Sequence, residues 1–190
     1  MPCQQFCGVA LRVRWVRLPA VSPLPLETER LSIRAFTPDD VQAHHARIAG
    51  DADVMRVSPR GASSDIERTR EAVERYIAHQ RDHGFSLWAV DERGTGEYVG
   101  CCGLSLVEGR GPDVEVAYRF ARDRWGRGYA TEATRACLAY GLGELGLERI
   151  VAMTTPDHAA SRRVMEKNGM RFVGPARFYQ LDLVLYEAAR

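Results

Sequence analysis

Lysine is nearly missing from this chain: Lys167 is the single one among 26 basic residues. No lysine therefore stands near any glycine-rich turn, which excludes a P-loop of the form G-x-x-x-x-G-K-[ST]. Acidic residues are missing before Glu27, while Arg12, Arg14 and Arg17 fall within that start. The arginines interrupt any apolar core of a secretory signal, and an arginine-bearing, acid-poor start is one feature of organellar transit peptides. Pro19, Pro23 and Pro25 make the segment a poor helix. Residues 1–25 read as a flexible extension or as a start codon placed too far upstream, with the domain proper over 26–190. No apolar run approaches the roughly 18 residues of a membrane span. A net charge of +1 gives no field to hold a nucleic acid or a membrane. Cys3, Cys7, Cys101, Cys102 and Cys137 are odd in number and fit neither a disulfide framework nor a zinc site. They read as free thiols in a reducing, cytoplasmic setting. In a strand, at most one of Cys101 and Cys102 should face a core. The helical positions of His44, His45, His79 and His83 suggest no metal site.

What remains is ordinary for one domain: 190 residues, 45% hydrophobic and 27% charged. Leu31-Ser32-Ile33-Arg34-Ala35 alternates as a half-buried strand does. Thr37-Pro38-Asp39-Asp40 opens a helix to about Ile48, and a second runs from about Asp65 to His83 before Gly84. Phe85 to Val90 and Tyr98 to Leu106 form a hairpin, and Val114 to Phe120 a further strand. A helix follows over about Tyr129 to Leu145, a strand over Arg149 to Thr155, and a helix over Ala159 to Asn168. Arg171 to Val173 and Tyr179 to Tyr186 close the chain as strands joined by a loop at Gly174-Pro175. The order β-α-α-β-β-β-α-β-α-β-β predicts a single α/β (α+β) domain with a mixed sheet flanked by helices.

Between the third middle strand and its helix lies Trp125-Gly126-Arg127-Gly128-Tyr129-Ala130-Thr131-Glu132-Ala133. Two glycines let the backbone approach a ligand, and a helix N-terminus adds unpaired N–H donors and partial positive charge. The pattern suits a phosphate. A dinucleotide turn would place a small residue where Thr131 stands and would follow the first strand.

Val114-Glu115-Val116-Ala117-Tyr118-Arg119-Phe120 with the glycine turn resembles the acetyl-CoA-binding core of the GNAT family of N-acetyltransferases. Its signature is [Q/R]-x-x-G-x-[G/A]; Gly128 and Ala130 match, and Trp125 takes the first position. That variant, Leu26 to Arg34, and Thr154 to Met170 resemble the RimJ/RimL-like branch. The resemblance covers about residues 26 to 187. It implies the family fold, with a mostly antiparallel twisted sheet, and acetyl-CoA as co-substrate without a metal. Direct attack by a primary amine, on a protein N-terminus or a small molecule, is the implied reaction. A non-catalytic acetyl-CoA or CoA-binding regulatory module is the alternative. By position, Trp125, Gly126, Arg127, Gly128, Tyr129, Ala130 and Thr131 would hold the pyrophosphate. Tyr118 and Phe120 would pair with the pantetheine arm, and a backbone N–H near Phe120 would polarise the thioester carbonyl. Glu115 is implied as a base acting through water, or is an exposed or ion-paired strand carboxylate. Ser161 approaches the CoA sulfur, or caps a helix. His158 replaces the family's asparagine, as a tolerated rim residue or a proton carrier, and with Ser161 borders the cofactor. Tyr179 and Tyr186 would serve as acid or as packing. The acceptor groove is implied over residues 39 to 83 and 174 to 180, where both signs of charge occur and no single-sign patch selects a polycation. The partners are then acetyl-CoA and an amine, with no nucleic acid or membrane, for a monomer or homodimer.

Overall fold

A computed structural model describes residues 24–190. The readings for residues 1–23, Cys3 and Cys7 included, lie outside the described residues. The strands are β1 (Leu26–Glu27), β2 (Leu31–Arg34), β3 (Leu87–Glu92), β4 (Glu97–Leu106), β5 (Val114–Phe120), β6 (Arg149–Thr154), β7 (Arg171–Phe178) and β8 (Leu181–Ala189). They form one sheet in the order β1-β2-β3-β4-β5-β6-β8-β7. All neighbours are antiparallel except β5 and β6. The mixed, mostly antiparallel sheet flanked by helices is thus the one expected.

The helices are α1 (Val41–His44), α2 (Ala52–Met55), α3 (Ile66–His83), α4 (Tyr129–Leu142) and α5 (Ala159–Lys167). Asp65 caps α3 by accepting from Glu67 N–H at 2.9 Å, and Gly84 ends it at φ 77°. The first expected helix is broken into a 3-10 turn at Pro38–Asp40, α1, and a π turn at His45–Ala49. The cause is tertiary. Arg34 grips Asp40 at 2.7 and 2.9 Å and Asp91 at 2.6 Å, tying the start of α1 to β2 and β3. His45 Nδ1 stands 2.8 Å from Thr69 Oγ1, tying its end to α3.

Hydrophobic side chains fill both faces of the sheet. One cluster joins Trp88, Leu104, Val116, Cys137 and Met165 under α4 and α5. The other joins Phe36, Ile48, Val73, Leu87 and Tyr98 under α1 to α3. Because both faces are covered, both cysteines of β4 are buried: Cys102 in the first cluster and Cys101 in the second. The expectation that at most one faces a core is corrected.

The closing hairpin also differs from expectation. Strand β7 runs through Gly174 and Pro175 to Phe178, with a bulge at Val173, between Phe172↔Tyr186 and Gly174↔Leu185, and Gly174 at φ 151°. The turn is Tyr179-Gln180 instead, with φ 54° and 62°, between the paired residues Phe178 and Leu181. Two consecutive left-handed residues are the geometry of a tight hairpin turn.

Candidate active site

Strand β5 is paired with β4 along its whole length, from Leu106↔Val114 to Gly100↔Phe120. Its bridge to β6 is Glu115↔Val151 alone, and beyond it the two strands part. A wedge opens between them. Backbone groups of an antiparallel strand alternate in direction. Ala121 N–H donates to Val99 C=O on the β4 side at 3.0 Å. Phe120 and Tyr118, at the alternate positions, therefore turn their N–H groups into the wedge. The carbonyl of Phe120 accepts from the Trp125 indole at 2.7 Å. Trp125 itself is 50% exposed, so its ring stands at the mouth while its N–H holds the strand end.

The glycine turn closes this end of the wedge. Gly126 (φ 75°) and Gly128 (φ 82°) are both left-handed, and Gly128 is the N-cap of α4. The first bond back into the helix is Glu132 N–H to Gly128 C=O at 3.0 Å. That leaves the N–H groups of Tyr129, Ala130 and Thr131 without an intrahelical acceptor. The turn is braced by Arg30, to which the sequence reading gave no role. Its Nη1 donates to Arg127 C=O at 2.9 Å, its Nε to Glu132 at 2.8 Å, and its guanidinium lies 4.8 Å above the Tyr129 ring. Thr28 completes the bracket with a 2.7 Å bond to Glu132. The segment Leu26 to Arg34 is thus the foundation of the turn.

On the far side of the wedge, α5 begins at His158. Its Nδ1 accepts from Ser161 N–H at 3.2 Å, so the imidazole caps the helix. Burial, then the nearby Arg56, hold its pKa below the usual value. An unprotonated Nδ1 is what a cap requires. With Nδ1 engaged in the cap, Nε2 is the ring nitrogen left for the proton-carrying alternative. Ser161 is not the cap. Its Oγ lies 2.9 Å from the Tyr118 hydroxyl, which also donates to Ser161 C=O at 3.1 Å. Burial raises the pKa of Tyr118, so the phenol keeps its proton.

Side chains at odd positions of β5 point to the α1–α3 face. Glu115 is there, and among the described residues it has no ion-pair partner. Its Oε1 accepts from Tyr179 Oη at 2.5 Å and Ser105 Oγ at 3.2 Å. Burial, opposed by these two bonds, raises its pKa. Tyr179 is held by a reciprocal clasp: its hydroxyl accepts from Glu108 N–H at 2.9 Å, and its N–H donates to Glu108 Oε1 at 2.8 Å. Tyr186 does not share this place. It is 1% exposed and bonds Arg162 and Glu166. One cavity of about 1280 Å³ connects the glycine turn, Tyr118, Ser161, Glu115 and Tyr179. Parts of the expected acceptor regions, including Arg68, Tyr76 and Gln180, line it as well. Among the described residues no three His, Cys, Asp or Glu gather as metal ligands. No helix there is long and apolar enough to cross a membrane.

Residues 30–171 match the sequence model of the acetyltransferase (GNAT) domain. The chain belongs to the GNAT acetyltransferase family. The Bacillus subtilis protein YkkB is 35% identical over 163 residues, covering 85% of this chain and 94% of its own. YoaA of the same organism, described as an N-acetyltransferase, is 29% identical over 81% and 86%. A GNAT acetyltransferase from Bacillus anthracis superposes with a TM-score of 0.74 at 31% identity, over 86% and 96% of the two chains. RimL, an N-terminal acetyltransferase of ribosomal L7/L12, shares the fold with a TM-score of 0.72 at 17% identity, over 85% and 95%. As a GNAT enzyme, this protein is an N-acetyltransferase that depends on acetyl-CoA.

Proposed function

We propose that acetyl-CoA lies in the wedge between β5 and β6 and gives its acetyl group directly to a primary amine, in the manner of the RimJ/RimL-like branch. RimL, whose structure holds coenzyme A, shares this fold. The observation that carries the reading is the parting of β5 from β6 at Glu115↔Val151, which aims free backbone donors along a path ending on the glycine turn. The pantetheine arm pairs there like an added strand. The pyrophosphate meets the N–H groups of Tyr129, Ala130 and Thr131, with Trp125 to Gly128 forming the turn's wall. A backbone N–H of Tyr118 or Phe120 polarises the thioester carbonyl.

The amine nitrogen then attacks the carbonyl carbon, and the C–S bond breaks as the tetrahedral oxyanion collapses. Glu115, with its raised pKa, takes the ammonium proton through water. Tyr118, bonded to Ser161, supplies a proton to the departing thiolate. Sequence reasoning had assigned Tyr118 only its backbone; the phenol becomes visible as an acid once the Ser161 contact is known. His158 serves by capping α5, which keeps Ser161 in place.

Thiol release from acetyl-CoA, measured against a panel of N-terminal peptides and small amines, tests the reading. Turnover with an amine, reduced strongly in Glu115→Gln, is expected. A melting temperature unmoved by millimolar acetyl-CoA would overturn it. A thermal shift without turnover of any amine would support the non-catalytic module instead.

A further inference from the structure

The acceptor half of the cavity has charges that are not matched. Counted along the chain, acids and arginines balance there; in space they do not. Of the lining acids, Asp53 is bound by Arg122 at 2.7 Å, Glu71 faces Arg75 on its own helix at 3.9 Å, and Glu108 and Glu115 accept hydrogen bonds from Tyr179, with Ser105 as a second donor to Glu115. Arg60, Arg68 and Arg119 also line the cavity, and no carboxylate lies within 4.0 Å of any of them among the described residues. Residues 1–23 contain no Asp or Glu that could change this.

Arg119 differs from the other two because it stands on the sheet floor and not on a helix rim. It is partly buried, opposite Cys101 in the ladder. Its electrostatic neighbours are Tyr76, Cys101, whose side chain it hydrogen-bonds, and Glu115. The other arginines that stand within strands are held by acids: Arg34 by Asp40 and Asp91, Arg149 by Asp113 and Glu187, Arg171 by Glu187, and Arg177 by Asp182. A guanidinium withdrawn from water without an anion is costly, and the cost is recovered when a carboxylate arrives with two parallel hydrogen bonds.

Position sharpens the point. Glu115 and Arg119 share one face of β5, four residues or about 13 Å apart along the strand. Between them Ala117 leaves a low floor, and it too lines the cavity. A base and an unpaired cation thus flank the place where the amine must attack.

We propose that the acceptor amine also carries an oxyanion group, foremost a carboxylate, and that Arg119 binds it. The substrate class is amino acids and other amino carboxylates. Polyamines and polycationic amines are repelled. This deepens the acetyl-transfer reading above and rests on it.

The test compares kcat/KM for thiol release with amino acids of increasing chain length, with the matching amines lacking the carboxylate, and with aminoalkyl phosphates. Amino carboxylates should be preferred over the plain amines by about ten- to a hundredfold, the range of a charge-assisted hydrogen-bonded pair. A preference for the phosphates would keep the anion but reassign it. In Arg119→Met the ratio of acid to amine should collapse toward one, and Arg119→Lys should keep part of it. Should Arg119→Met fail to fold, the ratio in the unaltered enzyme and in Arg119→Lys decides. Plain amines or polyamines as the better substrates, or a ratio unmoved by Arg119→Met, would overturn the proposal while leaving acetyl transfer intact. Turnover of no acceptor, with no thermal shift by acetyl-CoA, would instead overturn both.

Discussion

The hydroxyl of Tyr179 stands 2.5 Å from Oε1 of Glu115 and 2.9 Å from the N–H of Glu108. The turn between the last two strands is therefore bonded to the strand that borders the wedge. Removing that hydroxyl in Tyr179→Phe takes away a bond that lowers the Glu115 pKa and leaves the burial that raises it. The acid limb of the kcat/KM profile should move to higher pH. Glu115→Gln should lower kcat about a hundredfold or more while acetyl-CoA still raises the melting temperature. An unchanged profile in Tyr179→Phe would deny Glu115 the role of base.

Gly128→Asp should abolish the thermal shift given by acetyl-CoA. At a hundred times Kd that shift corresponds to about 2.7 kcal/mol in the unaltered enzyme. The substitution brings negative charge to the mouth of a phosphate site, at a residue whose φ is 82°. Arg30→Ala acts on the same turn from behind, releasing Arg127 C=O and Glu132. A weaker affinity for acetyl-CoA with kcat little altered is expected, and a titration followed by calorimetry checks both variants.

His158→Ala should destabilise the fold by about 1 kcal/mol, the usual worth of an N-cap, and His158→Asn should restore most of it. The pH profile of His158→Asn should match that of the unaltered enzyme. A lost limb in that profile would assign the imidazole a proton-transfer role. Denaturant melts and a pH series separate the two.

His44 is buried against Tyr98, its Nδ1 2.7 Å from the phenol oxygen. Burial, then the charge of Arg119, push its pKa down from the usual 6.5 to about 4. The unfolded chain takes up the proton near 6.5 and the folded one resists it. The stabilisation is therefore full above pH 6.5 and is lost as pH falls to about 4. Its size is about 3 kcal/mol. The difference in unfolding free energy between the enzyme and His44→Gln, measured over that window, should fall with pH. A constant difference would show that His44 does not titrate this way.

Much of this was readable in the chain because local chemistry and tertiary fate agree. Val114–Phe120 and Ala159 are where the pattern put them, and Gly84 ends α3 as a left-handed glycine should. The turn at Tyr179-Gln180 was not readable, since neither residue is a glycine or asparagine. Gly174-Pro175 attracted the loop instead, though with the bulge at Val173 both stay in register with β8. Cys101 and Cys102 misled because alternation distinguishes two faces and cannot say that both are covered. Arg30 and Arg119 stayed hidden for a common reason. Which charges find partners is decided by strands distant in sequence, so one arginine became a brace and another an unpaired cation.

The lone bridge at Glu115↔Val151 has a mechanical meaning. It makes the sheet two blades, β1 to β5 and β6 to β8 with β7, joined at one backbone pivot and spanned by the helices. A donor laid between the blades is a splint as well as a reactant. Bound as proposed, acetyl-CoA would lay its pantetheine arm along the edge of the first blade and so reinforce a seam that the backbone itself closes at one bridge.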